Sequence, residues 1–215
     1  MNVFIGLDVS LASTAICVLG PQGRIVDELQ AESEPEALVR AIASLSYSID
    51  AIGLEAGPLS QWLSKGMEEA GFDVVMMETR LVKAALKAMP IKTDRRDAQG
   101  IARLLQMGWY RPVHRKSVSS QEIRALLTAR KSVQQAIINL ELSMRGVLRN
   151  FGLKLGHVTR IRYEARVREL VEQNEILSVS TEALLRARAQ LRAELAEMDA
   201  TIADLAKQDD VCRLM

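Results

Sequence analysis

Residues 3–29 read VFIGLDVSLASTAICVLGPQGRIVDEL, and this stretch decides the fold. Three runs rich in aliphatic and β-branched residues, 3–9, 14–19 and 24–29, are separated by turn chemistry. Pro21-Gln22-Gly23 between the second and third runs is a hairpin-type turn, so the sheet begins as an antiparallel meander. Within the first run an aspartate, Asp8, sits among Ile5, Leu7 and Val9, and it is the first residue whose presence there needs a chemical reason.

Further along, the periodicity alternates. A helix is expected over about 34–45, with Leu38, Ile42 and Leu45 on one face and acids in its first turn. A short strand follows at 51–55, then a helix at 59–70, a strand at 72–77 and a helix at 79–86. Three meander strands followed by alternating helix and strand predict an α/β fold with a mixed sheet, the pattern of the ribonuclease-H-like architecture.

The second half is helical. Ile123, Leu126, Val133, Ile137, Leu140, Met144, Val147 and Phe151 keep three-four spacing, interrupted at Arg130, and describe one long helix. Residues 152–156 break it. Two more helices are expected over 160–174 and 181–207, joined by residues 175–180 into an antiparallel hairpin or coiled coil, with Arg188 interrupting the last seam. The division expected from sequence is an α/β domain over 1–155 that includes the long helix and a helical coiled-coil region over 156–208. Apolar seams this long call for partner helices, and a homo-oligomer, dimer or tetramer, is expected.

Composition narrows the class. The chain has 215 residues, 48% of them hydrophobic, enough for one sizeable core and a smaller appendage. No apolar run approaches the roughly 20 residues of a membrane span, and the N-terminus lacks the basic start of a secretory signal, so no membrane partner is expected and the cytoplasm is the expected location. Cys17 and Cys212 stand far apart with no ligand-spaced neighbour, which argues against a disulfide framework or a zinc site. The net charge of +1 conceals an asymmetry: residues 1–78 carry 3 cations and 12 acids, 79–132 carry 13 and 3, and 133–215 carry 12 and 12. The middle segment is a candidate polyanion surface or a solvated helical face offsetting the acidic first third.

The acids carry the chemistry. Asp8 in its apolar run is either a metal ligand or a hydrogen-bonded structural aspartate. Glu55 closes Ile52-Gly53-Leu54 at a strand's C-terminal end, where open α/β sheets place their sites; its plain reading is an exposed strand-end acid. Asp94 and Asp97, three residues apart in Lys92-Thr93-Asp94-Arg95-Arg96-Asp97-Ala98, share one helical face if a helix starts near Thr93. Capping and dipole compensation explain them in part, but not the crowding of Lys92, Arg95 and Arg96. Metal-dependent phosphodiester chemistry uses three or four converging carboxylates to hold two ions about 4 Å apart. Arg80, Lys83, Lys87, Lys92, Arg95 and Arg96 are the candidate phosphate contacts. Trp109 and Tyr110 are assigned to core packing before base stacking, and His114 and His157 receive no role.

The segments Ile5-Gly6-Leu7-Asp8-Val9-Ser10, Gly53-Leu54-Glu55-Ala56 and Lys92 to Ala98 together resemble the DEDD-type transposases of bacterial insertion sequences, the bridge-RNA-guided recombinases. The resemblance covers essentially the whole chain, since the family's RuvC-like domain is followed by a helical coiled coil. It implies that Asp8, Glu55, Asp94 and Asp97 are a catalytic acidic tetrad that binds Mg2+. It implies DNA and a guide (bridge) RNA as partners, with residues 80–131 a candidate part of the RNA contact. It also implies that the domain over 1–155 is RuvC-like and that a further C-terminal transposase domain, whose serine attacks DNA, starts at 209–215. Because the sequence stops at Met215, where that domain would begin, this chain is expected to supply only the acidic half of a composite site and to be inactive alone. Rival readings are an actin-like phosphotransferase, which lacks here a second phosphate loop and a Gly-rich adenosine site, a non-catalytic dimerising nucleic-acid-binding module, and a Holliday-junction-type nuclease.

Overall fold

The computed structural model describes residues 1–87 and 93–213. The chain divides into two compact units, Met1–Lys116 and Ser117–Met215. The long helix expected with the first domain therefore stands with the helices that follow it.

The first unit is built on a five-stranded sheet of β1 (Asn2–Val9), β2 (Ser13–Leu19), β3 (Ile25–Glu32), β4 (Ser48–Glu55) and β5 (Val74–Met77). Their order is β3-β2-β1-β4-β5, with β1–β2 and β2–β3 antiparallel and β1–β4 and β4–β5 parallel. A three-strand meander extended by parallel strands on the β1 side is the ribonuclease-H-like, RuvC-like sheet. The helices of this unit are α1 (Pro35–Ala43), α2 (Ser60–Glu69), α3 (Thr79–Leu86) and α4 (Asp94–Gln106).

Strand side chains alternate between the two faces, and both faces are covered. On one, Val3, Ile5 and Leu7 of β1 join Ile16, Val18, Ile52 and Leu54 in a core closed by Leu38 and Ile42 of α1 and Leu63 and Met67 of α2. On the other, α4 lies across β1 and β2, with Ala98 and Ala102 against Ala15, Cys17 and Leu19. Its Ile101, Leu104 and Leu105 pack with Met77 and with Val82 of α3. The approach of α4 is unusually close. A Cβ built on Gly6 would stand 2.2 Å from the Ala98 carbonyl oxygen and 2.4 Å from the Ala102 nitrogen.

α4 ends in a Schellman closure: Gly108 takes φ 65°, its N–H reaches the Leu105 carbonyl, and the Trp109 N–H reaches that of Leu104. The residue after such a glycine usually folds back onto the helix. Here Trp109 instead remains 59% exposed, which overturns its assignment to the core; Tyr110 does pack against the α4 cluster.

The second unit contains α5 (Val118–Asn150), α6 (Tyr163–Val171), α7 (Glu175–Gln208) and the short α8 (Asp210–Arg213). α5 starts five residues before the apolar seam because the Ser117 hydroxyl caps it by accepting from the Ser120 N–H. Residues 175–180 are not a joint. They form the opening turns of α7, capped by the Asn174 side chain, which accepts from the Leu177 N–H. The antiparallel pair is α5 with α7: Arg130 pairs with Asp199, and eleven residues further along α5, Glu141 meets Arg188 and Arg192. Both charged interruptions of the seams are thus cross-helix ion-pair partners. Arg188, 2% exposed, also bonds Glu164 and lies 4.3 Å from the Tyr163 ring centroid. Met144, Leu148, Leu155, Tyr163, Val167, Val171, Leu177 and Leu185 make the core around it.

Candidate active site

The parallel pair β1–β4 aligns two nearly identical tetrapeptides. Ile5 lies opposite Ile52, Gly6 opposite Gly53 and Leu7 opposite Leu54, so the next positions are Asp8 and Glu55. The isoleucines and leucines face the α1–α2 core, while the glycines and the acids share the face that α4 covers. Both acids stand at C-terminal strand ends. They line one pocket with Ser10 and Leu11 of the β1–β2 turn and with Gly57, Pro58, Leu59 and Ser60 leading into α2.

Hydrogen bonds fix the rims of this pocket. The Ser33 hydroxyl donates to the Ser10 carbonyl at 2.7 Å and is paired with the buried Thr14 hydroxyl at 2.8 Å, which holds the turn beside Asp8. On the other rim the Ser60 hydroxyl donates to the Gly57 carbonyl and accepts from the Gly57 N–H, and Thr79 donates to the Ala56 carbonyl at 2.6 Å. Glu55 has a cationic neighbour on α3, with Lys83 Nζ 3.8 Å from its Oε1.

Asp94 and Asp97 occupy the first turn of α4, which opens with the Thr93 hydroxyl accepting from the Arg96 N–H. Asp97 is buried, 8% exposed, and its N–H donates to the Thr93 carbonyl at 2.9 Å. Asp94 is exposed and lines a separate pocket with Thr93, Arg95, Ala15, Glu28, Leu29 and Gln30. The structure therefore brings Asp8 and Glu55 to one pocket and puts Asp94 on another. Among the described residues no three Asp, Glu, His or Cys side chains stand close enough to hold one ion. Of the candidate phosphate contacts, Arg80, Lys83 and Lys87 are exposed on or just after α3 and Arg95 and Arg96 on the first turn of α4, while Lys92 lies outside the described residues.

Two carboxylates on neighbouring strand ends suit a hard divalent cation, since magnesium is commonly held by one or two protein carboxylates, with water and phosphate oxygens completing the shell. The donor chemistry fits the cation for Asp8 and Glu55.

Ser33 and the pocket-lining Leu11 carry no signal in the sequence, and Gly6 and Gly53 stand there only as members of the motif segments, without their role in admitting the helix. For the glycines a signal existed in the repeat Ile-Gly-Leu-Asp and Ile-Gly-Leu-Glu, each acid two residues after a glycine that admits a helix.

The sheet order and the strand-end acids define a RuvC-like, ribonuclease-H-like domain. A family model described as a transposase, that of the IS110-type DEDD transposases, matches residues 5–152. The chain belongs to that family. It is 26% identical over 161 residues to the transposase for insertion sequence element IS1111A of Coxiella burnetii (strain RSA 493 / Nine Mile phase I), a match covering 74% of this chain and 42% of that protein. The chain spans less than half the length of the curated relatives it matches, 42% and 36%. Among solved structures it is similar to Thermus thermophilus RuvC, with a TM-score of 0.38 and 16% identity, over 52% of this chain and 99% of that one. Among the described residues no helix is long and apolar enough to cross a membrane.

Proposed function

We propose that the chain is the acid-bearing part of a magnesium-dependent, RNA-guided DNA transposase of an insertion sequence, working in the cytoplasm. The observation that supports this most is the β1–β4 register, which sets Asp8 beside Glu55 at the mouth of one pocket in a chain of a transposase family. In this reading Asp8 and Glu55 would hold the ion, and Asp94 and Asp97 complete the acidic set from α4. A bound divalent cation supplies charge neutralisation at a phosphodiester and acidifies bound water. Arg95, Arg96, Arg80, Lys87 and Lys92 grip the flanking phosphates of DNA or guide RNA. Lys83 balances Glu55 until the cation arrives. In this reading the acids act together with a serine nucleophile carried by a further domain of the transposase. The helices join copies into a dimer or tetramer, for which the exposed Ile123, Leu127, Ile138 and Leu142 of α5 give apolar contact area; a monomer in sedimentation at micromolar concentration would contradict that assembly.

The test is a calorimetric Mg2+ titration, repeated with Mn2+ by paramagnetic resonance. Wild-type protein binds the ion, and the paired substitutions Asp8→Asn with Glu55→Gln, and Asp94→Asn with Asp97→Asn, each abolish binding. Unaltered binding in the strand-end variant sinks the assignment. No binding by the wild type at millimolar metal favours a non-catalytic nucleic-acid-binding module instead.

A further inference from the structure

Residues 142–163 contain five cations, Arg145, Arg149, Lys154, Arg160 and Arg162, and no acid, although the second unit as a whole is closely balanced in charge. Elsewhere in that unit five arginines are neutralised, Arg130 by Asp199, Arg166 by Glu169, Arg168 by Glu164 and Glu182, and Arg188 and Arg192 by Glu141, while among the described residues Arg124 and Arg186 stand singly without an ion pair. Among the described residues none of the five cations makes an ion pair.

Three of them surround a cavity of about 250 Å³ lined by Arg145, Arg149, Leu153, Lys154, Leu155 and Gly156. Its floor is built rather than frayed. The α5 C-terminus closes on Gly152, at φ 71°, with the Leu153 N–H on the Leu148 carbonyl. Leu153 and Leu155 are anchored in the apolar core, which turns the exposed Lys154 between them outward. Arg145 Nη1 donates to the Gly156 carbonyl at 2.9 Å and pins the far end of the loop. Dipole compensation at the end of α5 accounts for Arg149 alone. Arg145 and Arg149 are one turn apart, roughly 6 Å along the axis, a spacing that serves successive charges of a polymer better than a single small anion.

We propose that this cavity is a second nucleic-acid contact, in which Arg145, Arg149 and Lys154 hold the phosphodiester backbone of a duplex. The site does not rest on the acidic pocket, which belongs to the other unit.

The experiment measures binding of the whole chain to a 20-base-pair DNA duplex and to an RNA duplex of the same sequence, in EDTA, from 50 to 300 mM salt. The double variant Arg149→Gln, Lys154→Gln should lower affinity at 100 mM salt by about tenfold or more and flatten the log–log salt slope by about 1.8, at about 0.9 per lost phosphate contact. A change on one duplex alone identifies the strand chemistry, and on both a shared backbone reader. The control Lys65→Gln, Lys207→Gln removes the same charge from exposed ion pairs and should leave the slope in place. EDTA removes divalent cations from the assay, which separates this site from the metal reading. Equal losses in site and control variants, an unchanged slope in the site variant, or no wild-type binding to either duplex at 50 mM salt overturns the proposal.

Discussion

Replacing Gly6 by alanine tests how α4 is seated over the sheet. The added methyl would meet the Ala98 carbonyl oxygen at 2.2 Å, the Ala102 nitrogen at 2.4 Å and the Ala102 Cβ at 2.8 Å. The first two are backbone atoms, so no rotamer change relieves the clash, and α4 must shift by about 1 Å to restore ordinary contact. Overpacking in a close-packed core costs roughly 1–3 kcal/mol, and a backbone clash belongs at the top of that range. At its register partner Gly53, the new methyl meets the Met77 terminal methyl at 2.6 Å and then Leu105 at 3.3 Å. Met77 can swing aside, so about 1 kcal/mol is expected there. Gly57, with only the Glu55 carbonyl at 3.9 Å, should change stability by less than about 0.5 kcal/mol. Both tryptophans, Trp62 and Trp109, lie in the first unit, so urea unfolding followed by tryptophan fluorescence reports on it selectively. If Gly6→Ala proves no more costly than Gly53→Ala, the close approach of α4 is not what seats it.

Arg188→Leu should destabilise the helical unit by about 2–3 kcal/mol in thermal unfolding followed by circular dichroism, because Glu141 and Glu164 lose their buried partner; their own partial exposure keeps the loss below that of a fully buried pair. Burial in the first place, and then Glu28, push the Cys17 thiol up to about 11, against an ordinary 9.0. The folded state therefore holds the proton more tightly than the unfolded chain: the contribution is full below pH about 9 and drains away as pH rises toward 11, and alkylation at pH 8.5 should modify the exposed Cys212 and spare Cys17. If Lys83 competes with a divalent cation for Glu55, Lys83→Gln should tighten Mg2+ binding by no more than about fivefold, the worth of an exposed ion pair, and weaker binding would assign Lys83 to the bound state instead.

The meander was readable because alternating aliphatic runs and a Pro-Gln-Gly turn are local signals, and the two later strands followed from short apolar runs between helical stretches. The start of α7 was not. Ser178, Ser180 and Thr181 look like loop residues by propensity, yet in the helix the hydroxyls of Ser180 and Thr181 donate to the carbonyls of Ile176 and Leu177, one turn back, and so cease to compete with the backbone. The partners of Arg130 and Arg188 were also hidden, because the acids that answer them lie 69 and 47 residues away on another helix. At the candidate site the strand-end acids were legible individually. Their juxtaposition was not, since it depends on a parallel pairing that only the completed sheet creates.

That dependence explains the repeated Ile-Gly-Leu-acid segment. In a parallel pair, equivalent positions of two like segments sit side by side with the same facing. The isoleucine and leucine of each segment bury toward α1 and α2, which fixes the register, because a slip of one residue would turn the acids into that core and the leucines out of it. The glycines then leave a bare patch of backbone on the opposite face, and α4 settles there with Ala98 and Ala102 in contact. Asp97 immediately precedes Ala98 and is buried in the first turn of the docked helix. Hydrophobic register on one side of the sheet thus places Asp8 and Glu55 at one pocket, and absent side chains on the other seat the helix that carries Asp97. None of the three acids has to supply the folding energy that places it.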